Sequence, residues 1–378
     1  MDKKTLEGWE RHPVTRRGFL TAGAAAAFLA ACGKTDVGPQ TSRPTGAASG
    51  SVPDELEATL SVYNWADYVN PKTYPAFEKE YGVKLTEDNY PSNEDALAKL
   101  KAGASGYDIV APTGYMVEIM IAEGLLMELD HSKIPNLSNL DPQFASLPFD
   151  PGNRYSVPKD FGTTGFGYRS KFVSEEMASW EDFFSLASKY SGRYTVLDSP
   201  PEVVGAALKM LGYSYNSVDP KEISEATDVL VKFKPHVRKL TSSMREIMIS
   251  GEAYICLTWN GEVGYVALDA PDAVYVIPAE GTEVWTDNYS IVAGAPHPAA
   301  AHAFLNYSLE PETQGRDTSY HYYGGVVEGE EEFLDPKSIA KNPSVYPPED
   351  VKAKLEIAQA TPEWTRMRNE AWTKFKAA

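Results

Sequence analysis

A chain of 378 residues is long enough to form two lobes rather than one small core. Its 53 acidic residues outnumber 35 basic ones, and the net charge of −18 argues against a nucleic-acid binder, which needs clustered Lys and Arg to neutralise phosphates. The two cysteines, Cys32 and Cys256, allow neither an internal disulfide framework nor a Cys-type zinc site, and the six histidines lack ligand spacing such as His-Glu-x-x-His, so no metal and no cofactor are expected.

Residues 1–31 read as an export segment to be kept out of the fold. Thr15-Arg16-Arg17-Gly18-Phe19-Leu20 resembles a twin-arginine signal, and the apolar run that follows is too short for a stable membrane span of about 20 residues. It ends in Leu29-Ala30-Ala31-Cys32, which resembles a bacterial lipobox and implies cleavage before Cys32 and lipid attachment to its sulfur. Residues 32–57 are rich in Gly, Pro, Ser, Thr and Ala and read as a flexible tether.

Folded structure is expected from about Ala58. Thr59 to Trp65 alternates as a strand, and a helix to about Tyr81 is stopped by Gly82. A strand at Val83–Thr86, a helix capped by Ser92 and a short buried strand at Tyr107–Pro112 come next. Helices are predicted over Met116–Glu123, from Ser179, from Pro201 to Leu211, over Pro220–Lys234 and over Met244–Ser250. Strands are predicted at Tyr194–Leu197, in the apolar run before Thr258, at Ala273–Pro278 and at Tyr289–Ala293, with a helical C-terminal part from Pro348. Strands alternating with helices indicate an α/β fold with a largely parallel sheet.

Two motifs concentrate groups able to hold a ligand. Trp259-Asn260-Gly261-Glu262 and Trp285-Thr286-Asp287 each offer an indole and a carboxylate where strands are expected to give way to loops. An indole face attracts ammonium and methylene groups, and a carboxylate neutralises the charge, so the pair suits an organic cation. Taken singly, either motif is equally compatible with a core tryptophan and a solvated acid.

The motifs in order resemble the polyamine-binding (spermidine/putrescine) substrate-binding lipoproteins of ABC importers, from about Thr59 to the C-terminus. The likeness rests on Tyr63-Asn64-Trp65-Ala66-Asp67-Tyr68, Tyr107-Asp108-Ile109-Val110-Ala111-Pro112-Thr113-Gly114-Tyr115, Ser138-Asn139-Leu140-Asp141-Pro142 and Pro148-Phe149-Asp150-Pro151. It continues through Leu211-Gly212-Tyr213-Ser214, Thr258-Trp259-Asn260-Gly261 and Trp285-Thr286-Asp287. The resemblance implies a non-enzymatic protein of two α/β lobes with a ligand cleft between them and several hinge crossings. Placed by the motifs, one lobe is about 59–161 plus 287–331 and the other about 162–286 plus 332–378, with crossings near Phe161-Gly162-Thr163 and beside Trp285-Thr286-Asp287.

The resemblance also carries over site residues. Trp65, Asp67, Tyr68, Thr113 and Tyr115 would line the cleft from the first lobe, and Glu202, Trp259, Glu262, Trp285 and Asp287 from the second lobe and its hinge. Tyr323, or its neighbour Tyr322, would add an aromatic. Ser199 stands where spermidine-type relatives carry Asp, and Glu262 where putrescine-type members carry Asp, a pattern leaning towards putrescine. The implied partners are a polyamine, the permease subunits of an ABC importer with its cytoplasmic ATPase, and the membrane through the Cys32 lipid alone, at the outer face of a bacterial cytoplasmic membrane. A ferric-binding protein of the same fold, suggested by the adjacent tyrosines, and a secreted carbohydrate-active enzyme, suggested by tryptophans beside paired carboxylates, are the alternatives.

Overall fold

The computed structural model describes residues 55–103, 106–335 and 342–378; the export signal, Cys32 and most of the tether lie outside them. The first half begins with β1 (Thr59–Trp65), α1 (Thr73–Tyr81), β2 (Lys84–Tyr90), α2 (Asn93–Lys101), β3 (Ile109–Val110) and α3 (Gly114–Ala122). Gly82 ends α1 in the left-handed conformation that glycine adopts without strain, and the Ser92 hydroxyl caps α2 by accepting from the Asp95 amide.

A 14-residue strand, β4 (Ser156–Arg169), then leads into α4 (Trp180–Ser185), β5 (Tyr194–Val196), α5 (Pro200–Met210), α6 (Pro220–Phe233), β6 (Val237–Leu240) and α7 (Arg245–Ile249). The chain continues through β7 (Ile255–Trp259), α8 (Asn260–Asp269), β8 (Ala273–Val276), β9 (Val284–Ile291), α9 (Pro298–Ser308), α10 (Pro311–His321), α11 (Glu349–Lys352) and α12 (Pro362–Ala377). A complete capping box at Ser179 and Asp182 opens α4 as the sequence predicts. Among the described residues no helix is long and apolar enough to cross a membrane.

The strands run in the order β2-β1-β3-β9-β4-β7-β5-β6, with β8 also on β4. Pairing is parallel where helices connect the strands (β1 with β2 and β3, β5 with β6 and β7) and antiparallel around β4 and β9. The sheet is therefore mixed rather than largely parallel, because the two long strands return against their neighbours instead of through a helical crossover.

β4 decides the architecture. Its first half, Ser156–Thr163, pairs with β9, whereas Thr164–Arg169 pairs with β7 and β8. Side chains on either side of this change enter different cores. Val62, Phe77, Ile109, Val157, Phe161 and Phe304 belong to one buried cluster, and Phe166, Trp180, Val196, Leu230, Leu257 and Trp372 to another. The two crossing segments expected from the sequence are hydrogen-bonded neighbours, with Phe161 opposite Thr286 and Gly162 opposite Trp285. A side chain at Gly162 would put a Cβ 2.4 Å from the Trp285 ring and 2.6 Å from Asn260 Oδ1, so glycine lets the strands close here.

Candidate functional site

Where the two cores approach, five aromatic rings form a third, small cluster. Tyr68, Trp285 and Tyr323 are buried at its centre, with Trp65 and Trp259 packed against them. Each ring arrives from a different place: Trp65 ends β1, Tyr68 follows in the turn, Trp259 ends β7, Trp285 lies early in β9, and Tyr323 follows α10. The Trp65 and Trp259 rings meet edge-on at 6.3 Å, Tyr323 lies 4.9 Å from Trp285 and 5.6 Å from Tyr68. Trp65 is fixed by its indole N–H, which donates to the Ala111 carbonyl at 3.0 Å. These rings are all candidates from the sequence, and the fold brings all five together.

The two motifs do not sit at strand-to-loop junctions as expected. Trp259 ends β7 directly at the start of α8, and Trp285-Thr286-Asp287 lies within β9. Both placements make the side chains more rigid than a loop would. Asn260, between Trp259 and Gly261, ties three segments: its Oδ1 accepts from the Thr163 amide at 3.1 Å, and its Nδ2 donates to the Tyr322 carbonyl at 3.0 Å. Gly261 lies under Tyr323, whose ring would be 2.4 Å from an added Cβ.

Asp287 is the most constrained acid. It is buried, opposite Thr113 in an antiparallel bridge, and its Oδ1 takes no well-formed hydrogen bond among the described residues. Burial first, and the charge of Asp160 next, push its pKa up to about 7 against the pull of the Thr113 and Tyr68 hydroxyls. The Tyr68 hydroxyl stands 2.6 Å from an oxygen of both Asp160 and Asp287. A phenol has one proton to donate, so both contacts are satisfied only when the carboxylate pair holds a further proton. Asp160 is compensated by the buried Lys159 ammonium, which also lies 3.5 Å from the centre of the Tyr68 ring. The extra proton therefore belongs on Asp287, the partner without a cation.

Glu202, in the first turn of α5, is the second acid. Its Oε1 accepts from the Trp259 indole N–H and from the Thr164 hydroxyl at 3.1 Å, which aims the carboxylate at the box. Burial pushes its pKa up to about 7 despite the Ser199, Trp259 and Thr164 hydrogen bonds, and nearby Glu94 adds to the rise. Glu94 is itself raised by burial and accepts from the Tyr115 hydroxyl at 3.1 Å. The Tyr115 ring packs in the first core, 6.2 Å from Trp364, so only its hydroxyl faces this acidic pole. Thr113 stands at the N-cap position of α3 without a side-chain capping bond, and its hydroxyl accepts from Asn93 at 3.0 Å.

Glu262 and Asp67 are arranged differently. Arg245, the first residue of α7, grips Glu262 with its fork: Nη2 to Oε1 is 2.7 Å and Nε to Oε2 is 3.0 Å. Its Nη1 also reaches Asp67 Oδ2 at 3.6 Å. Asp67 has φ 55°, a left-handed conformation that Asp tolerates better than most residues, and this turn leaves its carboxylate exposed on the Arg245 side. Ser199 hydrogen-bonds to Glu202. The adjacent tyrosines part company: Tyr323 enters the box, whereas Tyr322 caps α10 with φ 62° and packs 5.3 Å from Tyr265.

Comparisons with known proteins give the family. Residues 72–346 match the model of the bacterial extracellular solute-binding protein family. The chain belongs to that family. It is 34% identical over 339 residues to the spermidine/putrescine-binding periplasmic protein 1 of Haemophilus influenzae, covering 88% of this chain and 91% of that one. It is 33% identical over 341 residues to the putrescine-binding periplasmic protein PotF of Escherichia coli, covering 85% and 92%. The solved structure of the spermidine/putrescine ABC transporter substrate-binding protein PotD of Streptococcus pneumoniae superposes with a TM-score of 0.74 at 32% identity, covering 85% of this chain and 99% of that one. Family and relatives are solute-binding transport proteins, and the structural relatives share the two-lobe fold.

Several residues of this candidate site carry no obvious sequence signal. Lys159, Asp160 and His321 form the buried layer under Tyr68, with His321 Nε2 3.3 Å from Asp160 Oδ2. Burial first and Lys159 next hold the His321 pKa well below its ordinary value, so the imidazole is neutral. The one available hint is that Lys159-Asp160 immediately precedes the crossing at Phe161-Gly162. Glu94 carries no signal beyond its place in the first turn of the helix capped by Ser92, and Arg245, 17 residues before Glu262, falls outside any helical spacing.

Proposed function

We propose that this protein is an extracytoplasmic receptor for a polyamine, which it encloses between two lobes and hands to the permease of an ABC importer. The observation that carries this reading is the pairing of a five-ring aromatic box with two buried acids, Asp287 and Glu202, while the nearby cations are engaged elsewhere: Lys159 on Asp160, Arg245 on Glu262 and Asp67. Flat apolar walls suit methylene chains, and cation–π contact contributes about 0.5–2 kcal/mol per ammonium. A buried carboxylate without a cation is costly until one arrives, so the site is matched to a ligand bringing ammonium groups at both ends of a chain. The names of the relatives, which bind spermidine and putrescine, support the same ligand class.

The lobes in this proposal are about 59–161 plus 287–331 and about 162–286 plus 332–378, hinged where β4 and β9 cross. The burial of Tyr68, Trp285 and Tyr323 supports a reading in which the halves part to admit the ligand. The splitting of Tyr322 from Tyr323 speaks against a tyrosine pair holding iron. Calorimetry with putrescine, cadaverine, spermidine and spermine tests the assignment, with a dissociation constant of about 1 μM or tighter expected for at least one. Absence of heat with all four would sink it. The anchoring part of the proposal, lipid on Cys32 after signal cleavage, predicts that Cys32→Ala releases the protein from membranes; continued membrane retention would refute it.

A further inference from the structure

Immediately after Tyr323 the chain leaves the aromatic box, and Gly325 lines a second cleft of about 480 Å³, within the usual range for small ligands. No residue of the box lines it. One wall is Phe161 of β4, whose backbone exchanges hydrogen bonds of 2.9 and 2.8 Å with Gly324. Another is Tyr346, whose ring meets that of Phe161 edge-on at 6.1 Å, and Leu334 adds a buried apolar side chain. The charges are one-sided. Asp141, Glu328, Glu330 and Glu331 face the cleft with one cation, Lys352, whose ammonium is held 2.8 Å from Glu349. Among the described residues no Lys or Arg forms an ion pair with any of these four acids.

Exposed acids such as Glu328 and Glu331 would by themselves be a solvated face, but Glu330 is 5% exposed. Its Oε1 accepts from the Tyr346 hydroxyl at 2.7 Å, and its Oε2 takes no well-formed hydrogen bond among the described residues. The carboxylate lies directly against Gly325, where an added Cβ would overlap Oε2, so only glycine leaves room for it. Burial raises the Glu330 pKa to about 7 against the Tyr346 hydroxyl, and Glu331 adds to the rise; the Gly325 amide and the Thr318 hydroxyl lower it by less. A buried carboxylate in this position is costly unless a cation meets it. The described residues form no cluster of three metal-ligating side chains, whereas the rings offer apolar and π faces, so the chemistry fits an alkylammonium rather than a metal ion.

We infer that this cleft is a second binding site, separate from the aromatic box, for a primary aliphatic amine, with the ammonium on Glu330 and the methylenes along Phe161, Tyr346 and Leu334. The inference does not depend on what the box binds. With one buried acid and exposed acids at the rim, the site should be weak, with a dissociation constant of about 0.1–1 mM for a diamine.

Equilibrium dialysis of the mature protein against labelled putrescine, from about 1 μM to about 5 mM in about 0.15 M salt to screen diffuse attraction to the acidic surface, tests this. The native protein should take up a saturable equivalent in the range of about 0.1–1 mM, beyond any tighter one in the box. Glu330→Gln should weaken that equivalent at least tenfold and leave the tighter one within about threefold of native. Circular dichroism melts establish folding; should Glu330→Gln not fold, the exposed pair Glu328→Gln/Glu331→Gln takes its place, with a weakening of the second equivalent by about threefold or more expected. A purely structural Glu330 would lower the melting temperature without moving the second equivalent. An unchanged second equivalent in the folded variant, or no saturable uptake in that range by the native protein, overturns the inference and leaves the polyamine reading of the box intact. A protein that lacks the tight equivalent but keeps the Glu330-dependent one overturns that reading and supports this one.

Discussion

Asp287 is buried and Glu262 largely so, both are raised in pKa by burial, and both are attached to a tryptophan motif of the aromatic box, yet their surroundings are opposite. Glu262 has an arginine fork that offsets part of the cost of burial. Asp287 has two hydroxyls and a second carboxylate, and no cation of its own. The difference teaches which acid is structural and which is reserved. Taking a carboxylate out of water costs several kcal/mol unless a cation meets it, so a fold that leaves one unmet has its compensation arriving from outside. The same contrast orders the expected effects of mutation.

Asp287→Asn should have the largest effect on binding. It removes the charge an ammonium would meet in a buried setting, for which losses of about 2 kcal/mol or more, about 30-fold in affinity, are usual. Titration calorimetry against the best polyamine measures this, and unchanged affinity would take Asp287 out of the site. The ligand-free protein should respond in the other direction. With its pKa raised to about 7, Asp287 in the folded state holds a proton that the unfolded chain releases near its ordinary carboxylate value. Native stability from this group is therefore present at acid pH and is lost as pH rises towards 7. The Asn variant should melt close to the native protein at pH 5 and above it at pH 8; a lower melting temperature at pH 8 would mean that Asp287 stabilises the empty fold.

The next effect in size is that of pH on the unmutated protein. Asp287 and Glu202 are each pushed up to about 7, and buried Glu283, which accepts from the Tyr215 hydroxyl, to about 8. A cationic ligand binds the ionised forms, so binding at neutral pH should expel protons, and affinity should fall by about tenfold or more between pH 8 and pH 6 as they reprotonate. Calorimetry in buffers of different ionisation enthalpy reads the proton release directly. In Asp287→Asn the pH dependence should flatten. A flat profile in the native protein would show that the acids are already ionised in the empty site.

How much of this was legible beforehand follows the same division. Trp259, Trp285 and Asp287 are legible from their indole–carboxylate motifs, whereas Trp65, Tyr68 and Tyr323 are legible only through the family resemblance. The helix ends are equally plain, as at the stop at Gly82 and the start at Ser179, where the backbone itself demands glycine or a hydroxyl cap. The 14-residue strand β4 was not legible: all its residues are buried, so it lacks alternation, and Pro158, Gly162, Gly165 and Gly167 interrupt its pattern. Lys159, Asp160, Glu94 and Arg245 were missed because their significance is a contact across the fold. A lysine or an arginine has no local signature that tells a solvated charge from the partner of a buried acid, and the role of Glu262 changes completely once Arg245 is known.

Glu262→Gln is the variant in which binding should change least. The amide leaves Asp287, Glu202 and the rings where they are, and the guanidinium keeps its place over Tyr265 with Asp67 3.6 Å away. Diamine affinity should stay within about threefold of native, because the Arg245 fork already occupies both oxygens of this carboxylate. Stability should nevertheless fall, since a largely buried guanidinium loses the partner that offset its desolvation. This is the mirror image of Asp287→Asn, which costs binding and spares or raises the melting temperature at pH 8. Measuring both quantities for both variants separates the two acids without reference to any model of the ligand's pose. Should Glu262→Gln lose binding as severely as Asp287→Asn, Glu262 is a ligand position and the arginine moves aside when ligand enters. Should it lose neither binding nor stability, the Arg245 pair is an ordinary solvated ion pair, whose expected contribution is about 0–1 kcal/mol.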